Sequence, residues 1–305
     1  MFTTIIVQPI FNLLVLITAI LPGHNFGLAI IIFTIIIRIL MWPLVKKQLN
    51  QAKAMRELTP EIKKIKAAAK GDRQKESMLT MELYREKEIN PFASLLIVLV
   101  QLPILIGLYS SLRKIVNDPH QIISFSYPAL HNLSWMKEIA HDINKFDDTL
   151  FGVVNLTRTA LGPEGIYWAA LIIVAASAIA QYFQTKQLMP HDPEARGLRA
   201  ILRDSSSGKK ADQSEVNAAV GKSSQLMVPI LVFFVGLRLA VALPLYWLTG
   251  SVVAYIQQAR VLRTDAAEAD AAVDAKVKVE SKVTPRKNKK HKKSGSKRRK
   301  RWSKT

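Results

Sequence analysis

The chain has 305 residues, 49% of them apolar, and a formal net charge of +20 from 43 Lys or Arg against 23 Asp or Glu. It contains no cysteine, which excludes disulfides and thiolate chemistry, and its apolar runs are long enough to cross a bilayer, which excludes a simple water-soluble domain. The charge is uneven: residues 281–305 hold 13 Lys or Arg and no acid, about two thirds of the excess.

Residues 5–21, IIVQPIFNLLVLITAIL, carry Gln8, Pro9, Asn12 and Thr18 within an apolar run. They suit either a further crossing or a helix lying in the membrane interface, and the proline with its three polar neighbours favours the interface. No basic residue precedes them, which argues against a secretory signal peptide. Residues 1–26 are therefore expected to be an outer-face interfacial helix and the turn that follows it. From Leu28 to Val45 an 18-residue run is broken only by Thr34, Arg38 and Pro43, and the first transmembrane helix is predicted over 27–45. On one straight helix Arg38 lies about 15 Å from Leu28 and about 12 Å from Lys46, too deep to snorkel. Such placement costs roughly 2.5–3.5 kcal/mol, so whatever holds Arg38 there should be close to the function; the other reading is a helix boundary that lies elsewhere, with Arg38 near an interface.

The next stretch changes character, with 12 basic and 7 acidic residues in 46–88. Apolar residues recur at roughly helical spacing on either side of Lys70-Gly71-Asp72, which predicts a helical hairpin in water over 46–90. Met55, Leu58, Ile62, Met78 and Leu83 are its expected inner seam, and its length suggests a docking surface. A second span is expected over 91–112, carrying Gln101, then an extracytoplasmic loop over 113–165, then a third span over 166–184 with Ser177, Gln181 and Gln184. A cytoplasmic loop over 185–224 has the polar centre DSSSGKKADQS.

Leu226 to Ile256 would be about 46 Å long as one helix, against a hydrocarbon core of about 30 Å. Basic residues concentrate on the cytoplasmic side, and the basic tail at 260–305 joins the basic loops there only if this stretch crosses twice. Transmembrane helices 4 and 5 are therefore expected within 225–259, with a turn near Arg238 to Ala242. The result is an all-α integral membrane protein with five spans, its N-terminus outside and its tail in the cytoplasm.

The predicted spans contain no Asp, Glu or His, which removes proton relays and intramembrane proteases built on those groups. The six histidines lack ligand spacing, and no phosphate-cradling glycine loop is present, so neither metal nor cofactor is expected. The same absence leaves Arg38 without a membrane carboxylate. Thr34, Gln101, Ser177, Gln181 and Gln184, on three spans, would make a hydrated cavity around it if they face inward, though each alone is equally well explained as interhelical glue. A positive, hydrated site of this kind suits an acidic segment of a passing chain.

GLAIIIFTIIIRILMWPLVKKQ, the hairpin QAKAMRELTPEIKKIKAAAKGDRQKESMLTMELYREKEINPF, LVQLPILIGLYSSL, AQYFQTKQLMP and LYWLTGSVVAYIQQ together resemble the YidC/Oxa family of membrane protein insertases, in family order from about Leu21 to Arg260. The resemblance implies a five-helix core around a groove open to cytoplasm and lipid, with Arg38 as the groove arginine and residues 5–21 as an outer interfacial helix. It implies no enzyme activity and no small-molecule substrate. The expected partners are nascent membrane proteins, the ribosome, the secretion translocon, targeting machinery and the lipid bilayer. One departure is Ala240-Val241-Ala242, where the family usually has a proline and a glycine; Pro244 is shifted inward and Arg238 is unexpected.

The tail cations Lys287, Lys289, Lys290, Lys292, Lys293, Arg298, Arg299 and Arg301 are expected to touch the ribosome or, failing that, acidic lipid. The expected function is insertion and chaperoning of transmembrane segments through the Arg38 groove, in a bacterial plasma membrane. Two other readings are an anion channel or transporter with Arg38 as its site, and a membrane-anchored RNA-binding scaffold in which only the tail matters.

Overall fold

The computed structural model describes residues 1–90, 93–188, 203 and 226–283. A π-helical turn, Thr3–Val7, runs into α1, Gln8–Ile20. The two form a continuous helix of 18 residues, long and apolar enough to cross a membrane. The polar side chains that favoured an interfacial position are turned inward: buried Asn12 donates to the Gln8 carbonyl and accepts from the Tyr127 amide, and buried Thr18 donates to the Leu14 carbonyl. Gly107 on the next long helix lets α1 come close, since a Cβ there would lie 2.7 Å from Ile10 Cδ1 and 2.9 Å from Ile6 Cγ2.

Gly23, at φ 76°, turns the chain into α2, Phe26–Leu40, whose first turn is capped by Asn25 accepting from the Leu28 amide at 3.0 Å. The expected straight helix through Val45 is not what forms. The chain bends by 56° at Met41 and continues as α3, Trp42–Glu57. Pro43 supplies the reason: it has no N–H for the Ile39 carbonyl, and its ring clashes with a straight continuation. Arg38 therefore sits in the last turn of α2, three residues before the break.

α4, Thr59–Ala69, and α5, Arg73–Glu86, pack on each other across a left-handed Lys70 and Gly71, with Asp72 accepting from the Gln74 and Lys75 amides as the cap of α5. The seam contains Leu58, 5% exposed, and Leu83, 8% exposed, with Met55, Ile62, Ile65, Leu79 and Tyr84 half-buried. Burial pushes the Tyr84 phenol above the usual tyrosine range. Met78 is the correction: it is 66% exposed. Five residues separate it from Leu83, about 140° around a helix, whereas Leu79 is one turn from Leu83 and takes the inner place.

α6, Ala93–Asn117, carries Pro103, and α9, Trp168–Leu188, is the third long apolar helix. Between them the chain forms a packed outer layer of short elements. These are α7, Gln121–Ser124, α8, Ser134–His141, and two small antiparallel hairpins, β1 (Thr149–Leu150) with β2 (Val154–Asn155) and β3 (Leu161–Gly162) with β4 (Gly165–Ile166). Trp135, Met136 and Ile139 of α8 are buried in the main core beside Phe11, Leu14, Phe26 and Phe33. Asn25 donates to Asp147 at 2.7 Å and ties the start of α2 to this layer.

The last described stretch is α10, Leu226–Gly236, a turn over residues 237–241, and α11, Ala242–Val283. The turn is stitched to the outer layer by backbone bonds from Leu161 to Leu237, Val241 to Arg158 and Ala242 to Leu156, all 3.0–3.1 Å, and by a bridge between Thr159 and Ala240. This pairing fixes a turn that lacks the proline and glycine of the resembled family. Met1–Val261 is one compact unit, and the chain from Leu262 belongs to another. By length and composition three described helices can cross a membrane, and a fourth if α2 and α3 count as one bent span; α10 is a shorter apolar helix.

Candidate functional site

The site is built on α11. A 3.6-residue period places Tyr246, Gly250 and Gln257 along one flank of that helix, with Ser251 turned by about 100° from Gly250. The Arg38 side chain of α2 lies against the bare backbone at Gly250: a Cβ there would be 3.2 Å from Arg38 Nη2, 3.6 Å from Nε and 3.7 Å from Thr34 Cγ2. One turn earlier, Gln101 of α6 donates to the Tyr246 hydroxyl at 2.8 Å. Two turns later, Gln257 Nε2 donates to the Arg38 carbonyl at 3.1 Å. On the neighbouring flank, Ser251 donates to Gln181 Oε1 of α9 at 2.9 Å, and Gln181 Nε2 donates to Thr185 at 3.3 Å.

Arg38, Thr34, Gln101 and Gln181 thus all reach α11, three of them on the Gly250 flank and Gln181 on the next. Thr34 and Ser177 are buried, and their hydroxyls are committed to their own helices, donating to Ile30 at 2.6 Å and Val174 at 2.8 Å. Gln184 behaves differently: its Oε1 is buried and accepts nothing from described residues, as are Gln257 Oε1 and Gln258 Oε1. Buried acceptors of this kind require a donor, which water or the N–H groups of another chain can supply. Among the described residues no carboxylate pairs with the Arg38 guanidinium.

Tyr246, Gly250, Ser251, Gln257 and Gln258 were not anticipated as site residues. The signal was present in LYWLTGSVVAYIQQ, whose small and polar residues recur at helical spacing, but a glycine gives no hint of what will rest against it. The tail cations from Lys287 to Arg301 and the DSSSGKKADQS centre lie outside the described residues.

These features define a polytopic helical membrane protein with a polar seam around an arginine that no described carboxylate neutralises. Residues 17–268 match the family described as 60Kd inner membrane protein, and the chain belongs to that family. It is 29% identical over 242 residues to the membrane protein insertase YidC of Fusobacterium nucleatum, an alignment covering 79% of this chain and 88% of that one. It is 30% identical over 249 residues to the Streptomyces avermitilis insertase YidC, covering 80% of this chain and 52% of the relative. It is also 28% identical over 239 residues to the ALBINO3-like protein 1, chloroplastic, of Arabidopsis thaliana, covering 77% and 42%. The chain therefore spans about half the length, or less, of several relatives, including 17% of an Anaeromyxobacter YidC that it matches at 42% identity over 92 residues. Family membership and the apolar helices make this a multi-pass inner-membrane protein.

Proposed function

We propose that this chain is a membrane protein insertase and chaperone, with the Arg38 seam as the site that receives the segment to be translocated. The observation that carries the reading is the Arg38 guanidinium packed on Gly250 among polar side chains of four helices, without a carboxylate partner among the described residues. A positive charge held in that way attracts an acidic or polar segment of an incoming chain. The hydrophobic segment behind it slides out along α9 and α11 into lipid. Burial of about 20 apolar residues supplies the driving force, so no nucleotide hydrolysis by this chain is required.

On this reading the substrates are nascent membrane proteins, the α4–α5 hairpin meets the delivery machinery, and the basic tail from Lys287 to Arg301 meets the ribosome, with the secretion translocon as a further partner. Five crossings follow, with residues 1–26 on the outer face and the tail in the cytoplasm.

The test is a charge series at Arg38, read as rescue of a depleted strain together with the amount of mutant protein in the membrane. Without a fixed carboxylate to grip in two-pronged fashion, positive charge matters more than guanidinium shape, so Arg38→Lys keeps most activity. Arg38→Ala accumulates normally yet impairs substrates with acidic translocated segments, and Arg38→Glu is worst. An abundant Arg38→Ala protein that inserts acidic substrates at the normal rate refutes the proposal.

A further inference from the structure

At the end of the core away from the α4–α5 hairpin, the last turns of α6, the loop at Thr157 and Thr159 and the turn at 238–243 line a cavity of about 240 Å³. Two arginines border it, Arg113 from α6 and Arg238 from the turn. Both are exposed, and among the described residues neither has a carboxylate partner. The contrast is local: Arg158, in the same outer layer, is bonded to Glu164 at 2.8 Å and lies 4.6 Å over the Tyr167 ring. The backbone bonds that stitch residues 237–242 to residues 156–161 hold the turn that carries Arg238, so the pair borders a built cavity and not a loose loop.

Leu112, Val116, Leu239 and Leu243 make part of the cavity wall apolar. A soluble anion has no use for such a wall. The cavity is also smaller than the roughly 300 Å³ at which pockets begin to hold drug-sized ligands, which limits it to a headgroup with its glycerol. The helices that lead up to it, α6 and α10, carry exposed apolar side chains, Ile106 and Tyr109 on the first and Leu231 and Phe234 on the second. Acyl chains lying along those helices would bring a lipid phosphate to the depth at which arginine and tyrosine favour the membrane boundary.

We propose that this cavity binds the phosphate headgroup of an anionic phospholipid, with Arg113 and Arg238 on the phosphate oxygens and the acyl chains along α6 and α10. Arginine suits the role because its planar fork matches phosphate geometry. The site lies apart from Arg38, and its occupancy does not depend on the insertase reading.

The test uses the full chain in mixed micelles of phosphatidylglycerol and phosphatidylcholine, with native mass spectrometry to read the ratio of the two lipids retained. The basic tail is intact in every variant and adds the same background to each, which is measured with R113Q/R238Q combined with Ala240→Phe and subtracted. R113Q/R238Q lowers the retained ratio about tenfold, or about 1.4 kcal/mol. Ala240→Phe fills the cavity while leaving both charges, and lowers it likewise. Should the double variant unfold in a thermal melt, R113Q alone, an exposed exchange, must still lower the ratio. An unchanged ratio in the folded variants overturns the proposal, as does displacement of the lipid by millimolar inorganic phosphate, which would make the cavity a soluble-anion site.

Discussion

The contact between Arg38 and Gly250 makes a graded prediction. Replacing Gly250 by alanine puts a Cβ 3.2 Å from Arg38 Nη2, tighter than an ordinary contact by a few tenths of an ångström. The guanidinium is the far end of a flexible chain and gives way, while alanine improves helix propensity by about 0.8–1 kcal/mol. Gly250→Ala is therefore expected to be as stable as wild type and close to it in activity. Gly250→Leu fills the space the guanidinium occupies and displaces the charge. Overpacking of that kind costs about 1–3 kcal/mol, part of it offset by the same propensity gain, so the protein still accumulates. The functional loss is larger. A guanidinium about 5 Å from a substrate carboxylate, at an effective dielectric of about 20–40, attracts it by about 2–3 kcal/mol. As a barrier difference that is roughly 30- to 150-fold in the rate of moving an acidic segment. The assay is insertion of a single-span substrate with acidic or neutral translocated residues into proteoliposomes, for each single variant and for Gly250→Leu combined with Arg38→Ala. If Gly250→Leu acts by displacing Arg38, the double variant is no worse than the worse single one. Full activity of Gly250→Leu on acidic substrates, or additive losses in the double variant, would refute the placement of Arg38 at the point of substrate contact.

Three further outcomes are expected. Ile62→Asp, in the half-buried seam, loosens the α4–α5 hairpin and raises its protease sensitivity without unfolding the spans, whereas Met78→Asp, on the exposed face, leaves it unchanged; equal effects would remove the seam as drawn. Reporters fused within 205–211 and after Arg260 both report cytoplasm, and opposite sides would exclude the double crossing at 226–256. Deleting residues 276–305 weakens co-sedimentation with ribosomes at low salt, as raising the salt does for the intact chain; unchanged binding would leave the tail to lipid or to no ligand at all.

The architecture was legible where local periodicity dictates it and obscure where distant residues do. The turn at Lys70-Gly71-Asp72 follows from local chemistry, a left-handed pair followed by an aspartate cap, and a sequence carries that information in three residues. Met78 misled because apolar character was counted before its angle to Leu83. Pro43 was visible inside the apolar run, yet composition alone does not say whether a proline bends a span or breaks it. The outer layer over 113–165 read as a loop, because its order depends on contacts such as Asn25 with Asp147 and His24 stacked on Trp135 at 5.5 Å, which join residues more than a hundred positions apart. The polar residues of α11 went unclaimed for a similar reason: their role appears only when α2, α6 and α9 are laid beside them.

The break at Met41 also answers how an arginine without a carboxylate is tolerated in an apolar helix. An unbroken helix to Val45 would hold Arg38 in mid-bilayer, with every nearby carbonyl bonded along the helix. Ending α2 at Leu40 puts Arg38 in its last turn, at the negative end of the helix dipole, which favours a cation by about 0.3–1 kcal/mol. It also frees terminal carbonyls, which need donors from outside the helix. Gln257 supplies one to the Arg38 carbonyl itself, so the same residue that presents its guanidinium to Gly250 is held by its backbone to α11. The fifteen residues of α2 span only about 22 Å, short of the roughly 30 Å hydrocarbon core. On α2 the charge lies at the end that leads toward the α4–α5 hairpin. On the proposed reading this is the side from which substrate arrives. An incoming polar segment then meets positive charge before it has crossed the full apolar layer, and the cost of desolvating Arg38 is met by a helix end and a glutamine in place of a counter-ion that would compete with the substrate.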